Sequence, residues 1–352
     1  MANSRNFQYN IMSLLPYLER LSQREDLSAG DAREAMRSIL SGEASQPQIA
    51  GFLMALRTKG ETVDELVGFA RAMREKAVPV NAGLNGTAIL DTCGTGGDGA
   101  GTFNISTVAA FVVAGAGVHV AKHGNRAVTS AKGCGSADLL ESLGINTAFP
   151  PEQSARAIRE VGIGFLLAPA VHTAMKHAHP VRVDLKIRTV FNLLGPLTNP
   201  AGATAQLVGA PSDRAAELLA GALALLGLKH GFVVHGWDGL DEITTTGPTL
   251  AFEIREGRVD RRTLEPSDFA IRRANRDELL GGSGERNCEI ARAVLAGEPG
   301  APRDIVLVNA AAALVAAGKV ETFLEGMAIA AVSIDSSAAK RKVEALAEFT
   351  RS

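Results

Sequence analysis

Between positions 94 and 101 the chain places five glycines in eight residues, Gly94-Thr95-Gly96-Gly97-Asp98-Gly99-Ala100-Gly101, and continues with Thr102-Phe103-Asn104-Ile105-Ser106-Thr107. The preceding Ala88 to Thr92 reads as a short strand, and the Ala-rich apolar run Val108 to Val118 behind the loop reads as a buried helix. Strand-to-helix turns commonly take about two to six residues, so a loop this long and this dense in glycine needs a reason beyond chain reversal. Glycine permits positive φ and lets backbone N–H groups approach a ligand. Ser106 and Thr107 add hydroxyls at a helix start, where the dipole favours an anion. A phosphate site is expected here.

Gly94, Gly96 and Gly99 also satisfy the dinucleotide spacing G-x-G-x-x-G, which calls for an acidic residue at the end of the second strand to hold a ribose diol. The next strand, Val118 to Ala121, ends instead in Lys122-His123-Gly124-Asn125-Arg126. That end is basic and suits phosphates. A P-loop is excluded because no G-K-[ST] follows the glycines. The stretch Lys122 to Ser136 adds Thr129, Ser130, Gly133 and Gly135 ahead of a helix from Ala137 to Leu143, a second place where an anion is expected. Asp241 and Glu242, with Asp238 nearby, follow a strand ending at His235, so carboxylates reach the same edge of a sheet. Mg²⁺ takes one or two carboxylates plus substrate phosphates, which makes this pair, with the Ser106 hydroxyl, the expected magnesium station.

The order of elements divides the chain. Ile11, Leu14, Leu15, Leu18 and Leu21 form one helix stripe; Gly42 and Gly60 are stops, Pro47 suits a first turn, and Thr62 with Glu65 forms a capping box. These features predict a helical domain over 1–78, joined by the helical, His- and Arg-rich segment Ala170 to Asn199. After a linker from Val78 to Gly86, β-branched strands alternate with Ala/Leu helices: Ala88 to Thr92, Val118 to Ala121, Ile163 to Ala168, Ala205 to Gly209 and Gly231 to His235. That alternation predicts an α/β domain over 79–352 with a mostly parallel central sheet flanked by helices. A net charge of -2 leaves no footprint of a nucleic-acid binder, so small molecules are the expected partners. The apolar runs Val108 to Val118 and Ala215 to Leu228 are too short to span a membrane. Cys93, Cys134 and Cys288 have neither disulfide-framework nor zinc spacing, and a cytoplasmic location is expected.

Taken together, Asp91-x-x-Gly94-Thr95-Gly96-Gly97-Asp98, Asn104-Ile105-Ser106-Thr107, Lys122-His123-Gly124-Asn125-Arg126, His172 to Arg182 and Arg188-Thr189-Val190-Phe191-Asn192-Leu193-Leu194-Gly195-Pro196-Leu197-Thr198-Asn199-Pro200 resemble the anthranilate phosphoribosyltransferases, essentially end to end. The resemblance implies transfer of phosphoribosyl from phosphoribosyl pyrophosphate (PRPP) to the amine of anthranilate, in tryptophan biosynthesis. It implies Mg²⁺ as cofactor and a homodimer formed through the helical domain. It assigns Gly94, Gly97, Asp98, Thr102, Asn104, Ile105, Ser106, Thr107, Lys122, Gly124, Asn125, Ser130 and Ser136 to PRPP. Anthranilate falls to Gly94, Asn125, His172, Arg182 and Pro196, and the metal to Ser106, Asp241 and Glu242. Lys122, Asp98 and Arg182 are the expected catalytic set. One departure stands out: Ala131 to Cys134 is about two residues longer than the family pattern, so Ser130 and Ser136 compete for one phosphate-binding role. A pyrimidine nucleoside phosphorylase and a non-catalytic nucleic-acid-binding relative share the two-domain plan and are the rival readings.

Overall fold

The computed structural model describes residues 13–96, 100–126 and 134–351. The chain divides into two compact units, Met1–Ala77 with His172–Leu194, and Val78–Val171 with Gly195–Ser352.

In the first unit the helices are Leu15–Ser22, Ala29–Leu40, Gln46–Lys59 and Val63–Lys76. Local signals set their ends. Ser28 accepts from the Asp31 N–H, Pro47 occupies a first turn, and Gly60 ends its helix at φ 91°. Thr62 and Glu65 form the reciprocal capping box, and Glu65 is fully buried, its Oε1 accepting from the Leu27 N–H at 3.0 Å and its Oε2 bound to Lys59 Nζ at 3.1 Å. Gly68 lets the second and fourth helices approach closely, since a Cβ there would lie 2.4 Å from the Ala29 carbonyl oxygen. The segment from 170 onward, helical in period, is broken into the short pieces Thr173–His177, His179–Leu185 and Phe191–Leu194, which pack on the Ala29–Leu40, Gln46–Lys59 and Val63–Lys76 helices respectively. Pro180 restarts the chain at a first turn, and Lys186, left-handed at φ 52°, stops it.

The second unit is built on a seven-stranded sheet: β1 (Ile89–Gly94), β2 (His119–Gly124), β3 (Ile163–Leu167), β4 (Ala205–Gly209), β5 (His230–Gly236), β6 (Thr249–Arg255) and β7 (Arg258–Leu264), in the spatial order β3-β2-β1-β4-β5-β6-β7. Strands β1 to β5 are parallel and almost wholly buried, as a sheet covered on both faces requires. The expected α/β plan is therefore present. The sequence reading did not anticipate the antiparallel pair β6 and β7, joined through Glu256 and Gly257 at φ 50° and 81°. Two consecutive positive φ values give the turn twist that two-residue hairpins favour. Strand β7 is exposed along Arg258, Arg261 and Arg262, and this charge protects the sheet edge from further pairing.

The Ile105–Gly115 and Ala301–Ala316 helices, both apolar nearly all round, pack on each other and on the sheet. Phe103, Phe111, Phe165, Phe232 and Phe269 fill the core with them. Strand order reverses between β1 and β4, so the crevice at their carboxyl ends is where a ligand of an open α/β sheet is expected. No helix among the described residues is long and apolar enough to cross a membrane.

Candidate active site

The carboxyl ends of β1 and β4 lie side by side, with Gly94 paired to Gly209. Both glycines make room for Asp241. A Cβ on Gly209 would fall 1.6 Å from the Asp241 carbonyl oxygen, and one on Gly94 would fall 2.5 Å from its Oδ2. That Oδ2 accepts from the Gly96 N–H at 3.1 Å, tying the carboxylate to the start of the glycine loop. The next residue, Glu242, is 9% exposed and accepts from the Ser106 N–H at 3.1 Å through Oε1. A carboxylate thus sits at the first turn of the Ile105–Gly115 helix, where the dipole stabilises it.

Lys122, from β2, is only 3% exposed. Its ammonium donates to the Thr92 carbonyl and, at 3.4 Å, to Ser106 Oγ. Ser106 is therefore held by a cation on its hydroxyl and by a carboxylate on its amide. Burial pulls the Lys122 pKa down, while Asp91, Glu242 and Asp241 oppose that shift. Asp91 itself is fully buried: Oδ1 accepts from the His123 N–H at 3.1 Å and Oδ2 from Asn199 Nδ2 at 2.8 Å. Asn199 Nδ2 also donates to the Ala121 carbonyl at 2.8 Å, and Gln206 Nε2 donates to the Pro196 carbonyl at 2.9 Å. His123 Nδ1 lies 3.2 Å from the Gly195 carbonyl, which can only accept, so this nitrogen carries the proton; burial holds the ring below the ordinary histidine pKa. The segment 195–199 is thereby fastened to β1, β2 and β4. Sequence reasoning gave Asn199 and Gln206 no role, and the available signal was a polar side chain inside an otherwise apolar strand or loop.

Around the same edge, Asn104 Nδ2 donates to the Cys134 carbonyl at 2.8 Å and Asn104 Oδ1 accepts from Asn287 Nδ2 at 3.0 Å. Ser136 Oγ donates to the Asn125 carbonyl at 3.3 Å, and a Cβ on Gly124 would strike that hydroxyl at 2.1 Å. Thr102 forms an isolated bridge with Leu280. Ile105 and Thr107 are buried, leaving Ser106 as the partly exposed residue of that turn. Gly97, Asp98, Ser130 and positions 131–133 lie outside the described residues. Asp238, singled out only as a neighbouring acid, braces the loop after β5: its Oδ2 accepts from Thr244 Oγ1 and Thr246 Oγ1, each at 2.6 Å.

Of the residues expected at anthranilate, Gly94, Asn125 and Pro196 belong to the second unit and His172 and Arg182 to the first. His172 is 6% exposed, in a small cavity lined by Leu40, Met73 and Met175. Arg182 is half-buried with its guanidinium carbon 5.3 Å over the Phe191 ring, and burial lowers its pKa. No carboxylate among the described residues pairs with it. A desolvated planar cation of this kind is suited to a carboxylate ligand.

Known proteins point the same way. The sequence matches the model of the glycosyl transferase family, a/b domain, over residues 86–340, and that of the glycosyl transferase family, helical bundle domain, over 15–77. The anthranilate phosphoribosyltransferase of Solibacter usitatus is 74% identical, covering 97% of this chain and 100% of its own length. The crystal structure of the Thermus thermophilus enzyme superimposes with a TM-score of 0.89 at 44% identity, over 95% of this chain and 99% of that one. The Saccharomyces cerevisiae enzyme in complex with PRPP and Mg superimposes with a TM-score of 0.88 at 30% identity, over 97% and 99%. Fold, strand-end chemistry and end-to-end likeness agree, and the chain belongs to the anthranilate phosphoribosyltransferase family.

Proposed function

We propose that this chain transfers the phosphoribosyl group of PRPP to the amine of anthranilate, forming a C–N bond at the anomeric carbon as the C–O bond to pyrophosphate breaks. The observation that carries the reading is the arrangement around Ser106: a buried ammonium on one side, Glu242 on the other and Asp241 beside it, at the topological switch point of the sheet. Lys122 meets the charge that develops on the departing pyrophosphate, and backbone N–H groups of the glycine loop add to it. An arylamine is neutral at pH 7, so positioning and charge stabilisation outweigh any need for a strong base. Arg182 orients the acceptor through its carboxylate.

The donor set suits magnesium. Asp241, Glu242 and Ser106 offer hard oxygen atoms, and no group of three or more His, Cys, Asp or Glu side chains among the described residues is placed to hold a metal by itself. Mg²⁺ characteristically takes one or two carboxylates and completes its shell with water and substrate phosphates. When bound here it neutralises pyrophosphate charge.

The homodimer is proposed through the helical unit, where Leu15, Met54, Val183 and Ile187 are 38–47% exposed on or beside helices that pack together. Sedimentation of wild type against Met54→Asp tests it. A cytoplasmic location is proposed from three free cysteines without disulfide spacing. For the activity, purified protein mixed with Mg²⁺, PRPP and anthranilate should consume anthranilate fluorescence. Phosphorolysis of thymidine or uridine in its place would overturn the proposal.

A further inference from the structure

The Ala301–Ala316 helix is apolar at every buried position except Asn309, which is fully buried. Its amide faces the backbone of one residue in both directions: Oδ1 accepts from the Ile243 N–H at 3.0 Å, and Nδ2 donates to the Ile243 carbonyl at 3.0 Å. Nδ2 also donates to the Ile305 carbonyl within its own helix at 2.9 Å. Ile243 directly follows Glu242. On the far side the Thr244 N–H donates to Thr249 Oγ1 at 3.0 Å, and Asp238 holds Thr244 and Thr246 from within the loop. Asparagine and glutamine alone end in a carboxamide, which presents a donor and an acceptor side by side, and the N–H and C=O of a single residue can match that fork. A polar side chain costs free energy inside an apolar helix unless fully bonded, and this one is bonded on both arms.

We propose that Asn309 is a positioning residue for the metal carboxylates, acting through Ile243 to fix the height of Asp241 and Glu242 above Gly209 and Ser106. This rests on the reading that Asp241 and Glu242 hold the metal. Besides the Gly96 and Ser106 amides that bind the carboxylates themselves, three side chains anchor the loop: Asp238 within it, Thr249 on β6, and Asn309 from the Ala301–Ala316 helix. Of these three side chains, Asn309 holds the residue next to the carboxylates in sequence. Loss of either Ile243 bond lets the peptide tilt, and the Glu242–Ser106 contact moves with it. Residues that orient metal ligands from behind commonly change metal affinity by roughly 10–100-fold when replaced.

The test uses Mn²⁺ as a paramagnetic probe, titrated by electron paramagnetic resonance into full-length protein with PRPP. Asn309→Asp keeps the size and one acceptor but removes both donors; Asn309→Ser is the second variant if the first does not fold. Ser333→Ala, which removes a buried hydroxyl bonded to the Val112 carbonyl, is the control for a purely structural loss. Expected is about 10–100-fold weaker Mn²⁺ binding and a matching rise in half-saturating Mg²⁺, with the KM for anthranilate unchanged and the Ser333→Ala titration like wild type. Trp237, the sole tryptophan, has a side chain largely exposed (67% for the residue) and a backbone N–H that donates to the Pro248 carbonyl at 3.0 Å within the same loop. Its fluorescence anisotropy should fall in the Asn309 variants before any metal is added. A wild-type Mn²⁺ titration in a folded Asn309 variant overturns the proposal. If Asp241→Asn also binds Mn²⁺ like wild type, the metal reading falls and this inference with it. Weakened binding by Asp241→Asn alone overturns only the role of Asn309.

Discussion

Gly94→Ala separates folding from function at this site. Gly94 belongs to β1 and has no left-handed backbone, so alanine meets no conformational barrier. Its Cβ would stand 2.5 Å from Asp241 Oδ2 and 3.2 Å from Asp241 Cγ, with the Gly96 nitrogen next at 3.7 Å. To regain ordinary contact the carboxylate must retreat by about 0.9 Å, a motion that rotation of a short side chain supplies. An off-rotamer cost of about 0.5–1.5 kcal/mol and the lost Gly96 hydrogen bond, about 0.5–1.5 kcal/mol, are partly offset by about 0.4–1 kcal/mol from the stiffer unfolded chain. The net lies between about 0 and about 2.6 kcal/mol. Activity should suffer far more, because a displacement near 1 Å in a reacting constellation costs up to about 100-fold. The expected result is a Tm within several degrees of wild type, a large loss of turnover at limiting Mg²⁺, and partial recovery as Mg²⁺ is raised. A blocked substrate pocket would show no such recovery. Gly209→Ala is the contrast: its Cβ meets backbone at 1.6 Å and 2.5 Å, which no side-chain rotation relieves, so soluble folded protein should be lost. Wild-type turnover of Gly94→Ala at limiting Mg²⁺ would refute the reasoning, and so would unfolding as severe as that of Gly209→Ala.

Other expectations follow from buried charge. Lys122 has a folded pKa below its unfolded value near 10.5, so between the two the unfolded chain binds more protons and stability rises with pH; Lys122→Met should flatten that slope in urea titrations. PRPP binding should weaken through the same window as the ammonium deprotonates, which isothermal titration at stepped pH reads directly. Glu65→Ala leaves the Leu27 and Thr62 N–H groups without their acceptor, while Lys59 keeps Asp26 at 2.7 Å; a loss of about 1–3 kcal/mol in urea unfolding is expected, with KM values unchanged. Arg182→Ala should raise the KM for anthranilate about 10–100-fold and leave that for PRPP alone, and Arg182→Lys should recover little, since the planar fork over Phe191 is lost.

Elements with an apolar period or a capping signature were legible in the sequence. The Thr62–Glu65 box, the Gly60 stop and the strand Ala205–Gly209 lie where local chemistry places them. The acidic pair was readable as a site because it follows a strand on the edge that the glycine loop also reaches. Strand β7 was not readable: its exposed run of arginines lacks the alternation that marks a half-buried strand, and its turn uses Glu256 where asparagine is commoner. The stretch after 170 has helical period but not helical continuity, because Pro180 and Lys186 interrupt what periodicity alone joins. Asn309 was invisible for another reason. One amide in an apolar helix reads as a blemish until its partner, 66 residues away, is known.

The first compact unit is assembled from two stretches of chain, Met1–Ala77 and His172–Leu194, with Val78–Val171 of the other unit made between them. On a ribosome adding about 5–20 residues per second, the opening helices emerge roughly 5–20 s before the pieces that cover them. During that interval the faces destined for Thr173–His177, His179–Leu185 and Phe191–Leu194 stand bare to solvent and to chaperones. A gene fragment ending at the linker would leave those faces bare permanently, so vectorial synthesis cannot finish the first-born part first.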